Sequence, residues 1–226
     1  MKKALLVLTA LTVCSLNAAL ITQTKTFSGK PNYTKYLTYD QFDDDDGTLN
    51  SIEVIFTLNV DGGILTVDND SDNHADGTFE FGAKGVINSE DVILSSGFVH
   101  VTGELESVNS GSFSLEANEG DGTGDYSSAA PDGMSYDGEA ATDSGSGLVA
   151  VGAWSMGTTG YLGTSTYDIE VDITQWQDYE GDGGIELGFT PVDADGEVTV
   201  KYDYTVPEPA TAIIFAIGGM LIRRKN

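Results

Sequence analysis

The sequence has one cysteine, two histidines and few basic residues, and each shortage excludes or disfavours a kind of chemistry. The cysteine, Cys14, lies in an apolar stretch near the start, so the body of the chain has no disulfide and no thiolate nucleophile. Two histidines without a His-Glu-x-x-His spacing disfavour a zinc centre. His74 and His100 also lie outside any Gly-x-Ser-x-Gly motif, which disfavours a Ser-His-Asp hydrolase. We therefore expect a protein that is not an enzyme.

Positive charge is almost missing from the body of the chain. Residues 20–209 contain five lysines, no arginine and 36 acidic residues, which gives a formal charge of −31. A charge of this sign repels phosphate backbones, so nucleic acid is excluded as a partner. The same charge attracts cations, and divalent ions are the natural candidates.

Sustained helical periodicity is also missing, and apolar residues instead alternate with polar ones. Tyr167, Ile169 and Val171 occupy one face of an extended segment, whereas Asp168 and Glu170 occupy the other. The 28 glycines, with many Asn, Asp and Ser, mark frequent turns. We predict an all-β fold of about ten strands in two antiparallel sheets, a jelly-roll-like β-sandwich, with a closed barrel as the alternative.

The two ends of the chain differ in composition from its body. Lys2 and Lys3 precede the apolar run 4–16, which predicts a secretory signal peptide over residues 1–19. The β-sandwich domain is expected over 20–205, and its acidic, glycine-rich segment 118–147 is predicted to be a long loop. Residues 206–226 form a separate tail.

One stretch of the body partly matches a calcium-binding loop. In DNDSDNHADG, residues 68–77, four aspartates occupy the first, third, fifth and ninth positions: Asp68, Asp70, Asp72 and Asp76. Alternate residues of a tight loop can converge on one hard, oxygen-preferring ion. Asn73 replaces the usual glycine and Phe79 the usual bidentate glutamate, so a solvated turn is the alternative. Calcium is the one cofactor that the sequence suggests.

One aromatic residue that we expect to be exposed suggests a different kind of site. Trp176 follows a break in the alternation at Gln175, which makes it a candidate for stacking against a sugar ring. Its alternative role is in the core. A pair of catalytic carboxylates cannot be recognised among 36 acids, so a carbohydrate-binding or carbohydrate-cleaving module stays open.

The tail joins a Pro-Glu-Pro tripeptide to a short apolar run and a basic end. Pro207, Glu208 and Pro209 precede the apolar residues 210–222, and three basic residues close the run: Arg223, Arg224 and Lys225. As a helix, 13 residues span about 20 Å, against about 30 Å of bilayer hydrocarbon. The run is therefore marginal as a permanent membrane helix, and the basic residues would stop it at the cytoplasmic face. An uncleaved anchor is the alternative to a tail that is held briefly and cut.

This tripartite tail, paired with a signal peptide, resembles the PEP-CTERM sorting signal of Gram-negative bacteria. The resemblance implies recognition by an exosortase near Pro207, Glu208 and Pro209, after signal peptidase has acted. It further implies transient anchoring in the inner membrane through 210–222, and delivery to the cell surface or extracellular matrix.

Part of the body resembles the choice-of-anchor E domain, a β-rich module found ahead of surface-anchoring signals. The resemblance is carried by TFSGKPNYTKYLTYDQFDDDDGTLNSIEVIFTLNV, residues 26–60, and by GEVTVKYDYTVPEP, residues 196–209. It implies a β-rich fold and supplies no activity. We therefore expect an exported structural or adhesive protein of the surface or biofilm matrix, with extracellular polysaccharide as a candidate partner.

Overall fold

A computed structural model describes residues 17–120 and 122–206, and the fold within them is built almost entirely of strands. Two short 3-10 turns, Asp44–Asp46 and Val151–Ala153, are the helical elements of this part of the chain. The strands are β1 Asn17–Gly29, β2 Tyr33–Asp40, β3 Thr48–Asp61, β4 Ile64–Asn69, β5 Ala75–Asn88, β6 Ser95–Ser96, β7 Val99–His100, β8 Leu105–Leu115, β9 Gly133–Asp137, β10 Ala141–Leu148, β11 Thr166–Gly181, β12 Ile185–Thr190 and β13 Asp193–Val206.

Eight long strands form two antiparallel four-stranded sheets that pack as a sandwich. One sheet has the order β1-β13-β3-β10 and the other the order β2-β11-β5-β8. Numbered in chain order among themselves, these strands run 1-8-3-6 and 2-7-4-5, which is a jelly roll of two interleaved Greek keys. The predicted all-β, jelly-roll-like sandwich is therefore confirmed.

The period-two pattern forms these strands because each sheet has one buried and one wet face. On β3, Ile52, Val54 and Phe56 are fully buried, and on β11 Ile169 and Val171 are fully buried while their neighbours face water. These apolar faces meet in one continuous core between the sheets. Burial of apolar area is the main favourable term in such a fold, at about 25 cal/mol per Å².

Four tyrosines are buried in the core near the ends of β2 and β11. They are Tyr39, Tyr161, Tyr167 and Tyr202. The hydroxyl groups of Tyr167 and Tyr202 share a hydrogen bond of 2.7 Å, and the hydroxyl of Tyr39 donates to the carbonyl of Val198 at 2.7 Å. Tyr39 also stacks on Tyr167, with ring centroids 5.7 Å apart. Each buried hydroxyl thus has a partner, which buried polar groups require.

Successive jelly-roll strands alternate in direction, so their connections gather at two ends. The connections that contain β4, β9 and β12 meet at one end, the upper end, where these strands form a third sheet in the order β12-β4-β9. The connections 41–47, 89–104 and 149–165 meet at the lower end, where the Phe42 N–H donates to the carbonyl of Tyr161 and the Gly160 N–H to that of Asp91. The short β6–β7 hairpin belongs to the lower end.

The segment 118–147 is not one long loop, since it contains β9 and β10. β10 pairs with β3 along its whole length, although its sequence, ATDSGSGL, has no apolar alternation. Its inward positions include Gly145 and Gly147, where a Cβ atom would lie 2.4 Å from the carbonyl oxygens of Thr102 and Val101. A neighbouring backbone takes the place of side chains there, which is why the pattern missed this strand.

The two predicted export segments adjoin the described residues. Residues 17–19, at the end of the predicted signal peptide, begin β1 and pair with Tyr204, Thr205 and Val206. Residues 1–16 and 207–226 lie outside the described part of the chain, and with them the sorting tripeptide, the apolar run 210–222 and the basic end. Within the described residues, no helix has the length and hydropathy to cross a bilayer.

Candidate cation site

Four carboxylates meet at the upper end, where the third sheet covers the sandwich. Asp68 on β4 and Glu186 on β12 are directly opposite each other in the antiparallel pair. Asp70 follows β4, and Asp125 lies in the segment between β8 and β9. One oxygen from each of the four carboxylates lies within 4.8 Å of the others. We call these residues the four-carboxylate cluster.

Backbone N–H groups of the segment before β9 hold two of these carboxylates. The Ser127 N–H donates to Oδ2 of Asp68 at 2.7 Å, and the Gly124 N–H donates to Oδ2 of Asp70 at 3.1 Å. Gly124 has φ +76°, a left-handed conformation that favours glycine. This glycine turn lets the chain carry Asp125 across to the acids of β4 and β12.

Two buried polar side chains fix the loops around the cluster. Asn69 is fully buried, and its amide donates to the carbonyls of Asn73 and Glu116 at 2.8 and 2.6 Å. Asp132 is 3% exposed and accepts from the Glu119 N–H at 2.8 Å. Both loops are therefore anchored by hydrogen bonds on either side of the cluster, which positions its carboxylates before any ligand binds.

The electrostatics of the cluster are unfavourable without a cation. Like charges directly across a strand pair destabilise a sheet, and Asp68, one member of the directly opposed pair, is 1% exposed. Two unit charges 4 Å apart repel by about 4 kcal/mol at an effective dielectric constant of 20. Oε2 of Glu186 is buried and has no hydrogen-bond partner among the described residues. The lysines with ion-pair partners contact other acids: Lys30 contacts Asp193, Lys84 contacts Glu104 and Glu106, and Lys201 contacts Glu53.

The donor set matches the chemistry of calcium. Ca²⁺ takes six to eight oxygen ligands at about 2.3–2.6 Å, so two ligands on opposite sides of one ion are about 4.6–5.2 Å apart. Oxygens that all lie within 4.8 Å of one another fit such a shell. Backbone carbonyls and water could complete the coordination, as they commonly do around Ca²⁺.

The structure brings together two of the four aspartates that the calcium-loop spacing suggested. Asp68 and Asp70 belong to the cluster, but Asp72 and Asp76 do not. Because β5 begins at Ala75, Asp76 already lies on a strand, where its carboxylate is 3.8 Å from Nδ1 of His74. The other two ligands come from separate connections, so spacing along one loop could not identify them. Asp125 ends the acidic glycine motif EGDGTGD, the one local signal that pointed to it.

His74 also contacts a serine, although the arrangement is a surface contact. Its Nε2 lies 3.1 Å from Oγ of Ser114. The side chains of His74 and Asp76 are 46% and 66% exposed, and their separation of 3.8 Å exceeds a hydrogen bond. Exposed pairs of this kind contribute little energy.

Trp176 lies on the outer face of the second sheet, opposite Gly82 of β5. Nζ of Lys84 is 3.4 Å from the indole ring centroid, in a cation–π contact, and also 2.6 Å from Glu106. The indole Nε1 is buried without a hydrogen-bond partner among the described residues. Lys84 therefore covers one face of the ring, and only the remaining surface could contact a sugar.

A polar groove of about 530 Å³ lies on the same outer face, beyond Trp176 toward the upper end. The polar residues that line it alternate along β5, β8 and β11 with Phe79, Gly111 and Tyr179, and they are Thr78, Glu80, Ser110, Ser112, Asp178 and Glu180. Asp178 and Glu80 are direct cross-strand neighbours. The groove thus combines carboxylate acceptors with hydroxyl groups that both donate and accept.

Comparisons with known proteins do not identify the family. No protein-family model matches the chain, and no curated protein matches it. Among solved structures, a chain of infectious bursal disease virus Gx strain is 11% identical, with 87% of this chain and 42% of that chain covered and a TM-score of 0.18. A chain of the virus-derived T=1 particles is 13% identical, with 84% and 37% covered and a TM-score of 0.17. The protein thus spans less than half the length of these viral chains.

Proposed function

We propose that the protein is an exported, non-catalytic component of the cell surface or extracellular matrix, with a structural or adhesive role and a calcium-stabilised jelly roll. Convergence of four carboxylates from three separate connections on one point of the upper end carries the calcium part of the proposal. One bound calcium ion would link these connections to one another. Calcium-stabilised modules suit extracellular sites, where weak affinities of about 10⁻⁴–10⁻³ M suffice.

Sequence features support the export part of the proposal. A predicted signal peptide begins the chain, and Pro207, Glu208 and Pro209 precede an apolar run that ends in three basic residues. In the proposed sequence of events, signal peptidase removes the leader, 210–222 holds the protein in the inner membrane of a Gram-negative bacterium, and an exosortase cuts near the tripeptide.

Removing residues 207–226 is expected to change where the protein is found in its native host. The full chain should reach the surface or matrix as a product whose intact mass ends near residue 209. The truncated chain should instead accumulate in the periplasm, because nothing would hold it for the exosortase.

A matched variant separates sorting from anchoring. Replacing Pro207, Glu208 and Pro209 with alanine keeps the apolar run, so this chain should stay in the inner membrane with its mass extending to Asn226. Wild-type protein that itself retains Asn226 in the inner membrane would establish the uncleaved-anchor alternative. An unchanged destination after truncation would rule out a sorting role for the tail.

Sugar binding is a second candidate function, and the groove on the outer face favours it. Carboxylates and hydroxyls in a groove suit the hydroxyl groups of an extracellular polysaccharide. Trp176 does not line the groove but lies two residues before Asp178 on β11. Stacking of an aromatic ring contributes about 0.5–1.5 kcal/mol beyond burial.

The sugar-binding candidate predicts that Trp176→Ala weakens polysaccharide binding by about tenfold, equivalent to about 1.4 kcal/mol. The double variant Glu80→Gln/Asp178→Asn should weaken binding through the groove itself. Trp154→Phe, at the lower end, is the matched control and should bind normally. Equal affinity of all these proteins for polysaccharide in a pull-down titration would remove this candidate.

A further inference from the structure

The lower end presents a protruding apolar hairpin. Phe98 at the tip of the β6–β7 hairpin is 108% exposed, and Val99 beside it is 71% exposed. Leu94 and Val101, one at each base of the hairpin, are buried in the core and are joined by a backbone hydrogen bond of 3.1 Å. The hairpin is therefore anchored firmly while its tip extends into solvent.

A second loop adds exposed apolar side chains beside the hairpin. Val151 and Met156 are 69% and 55% exposed, and the Ala150 N–H donates to the carbonyl of Ser95 at the base of the hairpin. The two segments that contribute these residues, 92–103 and 144–167, contain no Asp, Glu, Lys or Arg. In a chain with 36 acidic residues, two adjoining uncharged segments with apolar tips mark a surface suited to a non-aqueous neighbour.

The chain leaves the fold at this same end. Val206, the last residue of β13, pairs with Asn17, the first residue of β1, and both lie on the side of the lower end. Only three residues separate Val206 from Ala210, where the apolar run begins, so an extended link spans about 14 Å. If 210–222 is embedded in a membrane, which is part of the proposed function, the lower end must lie against that membrane.

The acids of the lower end restrict the kind of lipid. Residues 43–46 are four aspartates in the connection next to the chain exit, where the following Gly47 packs against the carbonyl of Thr205. Glu90 and Glu104 flank the uncharged segments. Anionic lipid would be repelled by these carboxylates, whereas zwitterionic headgroups place ammonium groups near them. A second copy of the protein is disfavoured as the neighbour, because each body has a formal charge of −31.

We infer that the lower end is a lipid-contacting surface, on which Phe98, Val99 and Val151 enter the headgroup region of a zwitterionic bilayer while the tail anchors the chain. Apolar side chains of interfacial segments reach about 5–10 Å into this boundary region. The contact holds the domain upright on the membrane, with the four-carboxylate cluster directed away from it.

The test uses the chain without its predicted leader, residues 20–226, so that the leader cannot hold the protein on the vesicles. This chain lacks Cys14 and carries one reporter cysteine that bears an environment-sensitive dye. Phe98→Cys and Val151→Cys report on the lower end, and Tyr126→Cys, 54% exposed at the upper end, is the control. Each protein is reconstituted into phosphatidylcholine vesicles with a quencher on the lipid chains, and flotation is measured in parallel. We expect loss of emission for the two lower-end reporters and none for the control.

The outcomes separate this inference from the proposed function. Proteins that float with the vesicles while the dyes at positions 98 and 151 stay in water would overturn the lipid contact and leave the membrane anchor intact. Proteins that do not float would overturn both. Dye burial that depends on protein concentration and needs no lipid would replace the bilayer with a second copy.

Discussion

Removal of calcium is expected to lower the melting temperature of the protein by about 5–10 °C. A ligand at one hundred times its dissociation constant stabilises the folded state by about 2.7 kcal/mol, and each kcal/mol shifts the melting temperature of a protein of this size by about 2–4 °C. The stabilisation arises because one ion neutralises the carboxylates of Asp68, Asp70, Asp125 and Glu186. Thermal unfolding in calcium and in excess chelator measures the difference.

Calcium should reverse the order of stability of the wild type and a variant of the cluster. Asp125→Asn/Glu186→Gln removes two charges, so in chelator the variant should match or exceed the wild type in melting temperature, because repulsion is relieved. In calcium it should melt below the wild type, because two ligands are lost. The curves of the two proteins should therefore cross as calcium is added.

A matched control removes two acids from the same sequence stretch, residues 68–77, but outside the cluster. Asp72→Asn/Asp76→Asn should keep the full calcium response, since neither residue belongs to the cluster. Loss of the response in this control would assign binding to the contiguous loop. An identical melting temperature of the wild type in calcium and in chelator would overturn the calcium proposal.

Alkaline solution is expected to unfold the protein cooperatively at about pH 11–13. Burial raises the pKa of Tyr39, Tyr161, Tyr167 and Tyr202 above the ordinary value of 10. These tyrosines are protonated in the folded state and ionise in the unfolded state, so their stabilisation is complete below pH 10 and is lost as the pH rises. Burial, with the charge of Asp195, also raises the pKa of Tyr33 to about 12.

The expected slope follows from the number of protons retained. Each buried tyrosine lowers the free energy of unfolding by about 1.4 kcal/mol per pH unit, and four lower it by about 5 kcal/mol per unit. A total stability of about 5–15 kcal/mol is exhausted within one to three units above pH 10. Urea unfolding at a series of pH values between 9 and 11 measures the slope.

One tyrosine variant tests the origin of the slope. Tyr161→Phe loses the hydrogen bond from its hydroxyl to the carbonyl of Ile93, so stability at pH 7 should fall by about 1 kcal/mol. The slope above pH 10 should fall by about a quarter, since three buried hydroxyls remain. Phe79→Leu is the control, because it destabilises the core without removing a hydroxyl and should keep the full slope. Equal slopes in Tyr161→Phe and the wild type would show that another group governs alkaline unfolding.

The strands were largely predictable where side chains decide the structure. β3, β11 and β13 have a buried and a wet face, and their alternation identified both the strands and the sandwich. β10 was not predictable, because at Gly145 and Gly147 it packs on a neighbouring backbone and so has no apolar pattern. A pattern of side chains cannot reveal contacts that side chains do not make.

The candidate site was predictable only in part, for a related reason. The spacing of Asp68 and Asp70 along the sequence identified these two carboxylates as candidate cation ligands. Asp125 and Glu186 come from other connections, and the opposition of Asp68 and Glu186 depends on the register between β4 and β12. The spacing of residues within one segment does not show how that segment pairs with a distant strand.

The sequence by itself determined an all-β sandwich with an acidic surface, because period-two burial and net charge are local properties of the chain. The tertiary structure decided which acids meet and which end of the domain carries both the chain exit and the apolar hairpin. Both depend on the jelly-roll strand order, which brings alternate connections together at one end of the sandwich. This strand order is a property of the whole domain, and no single segment encodes it.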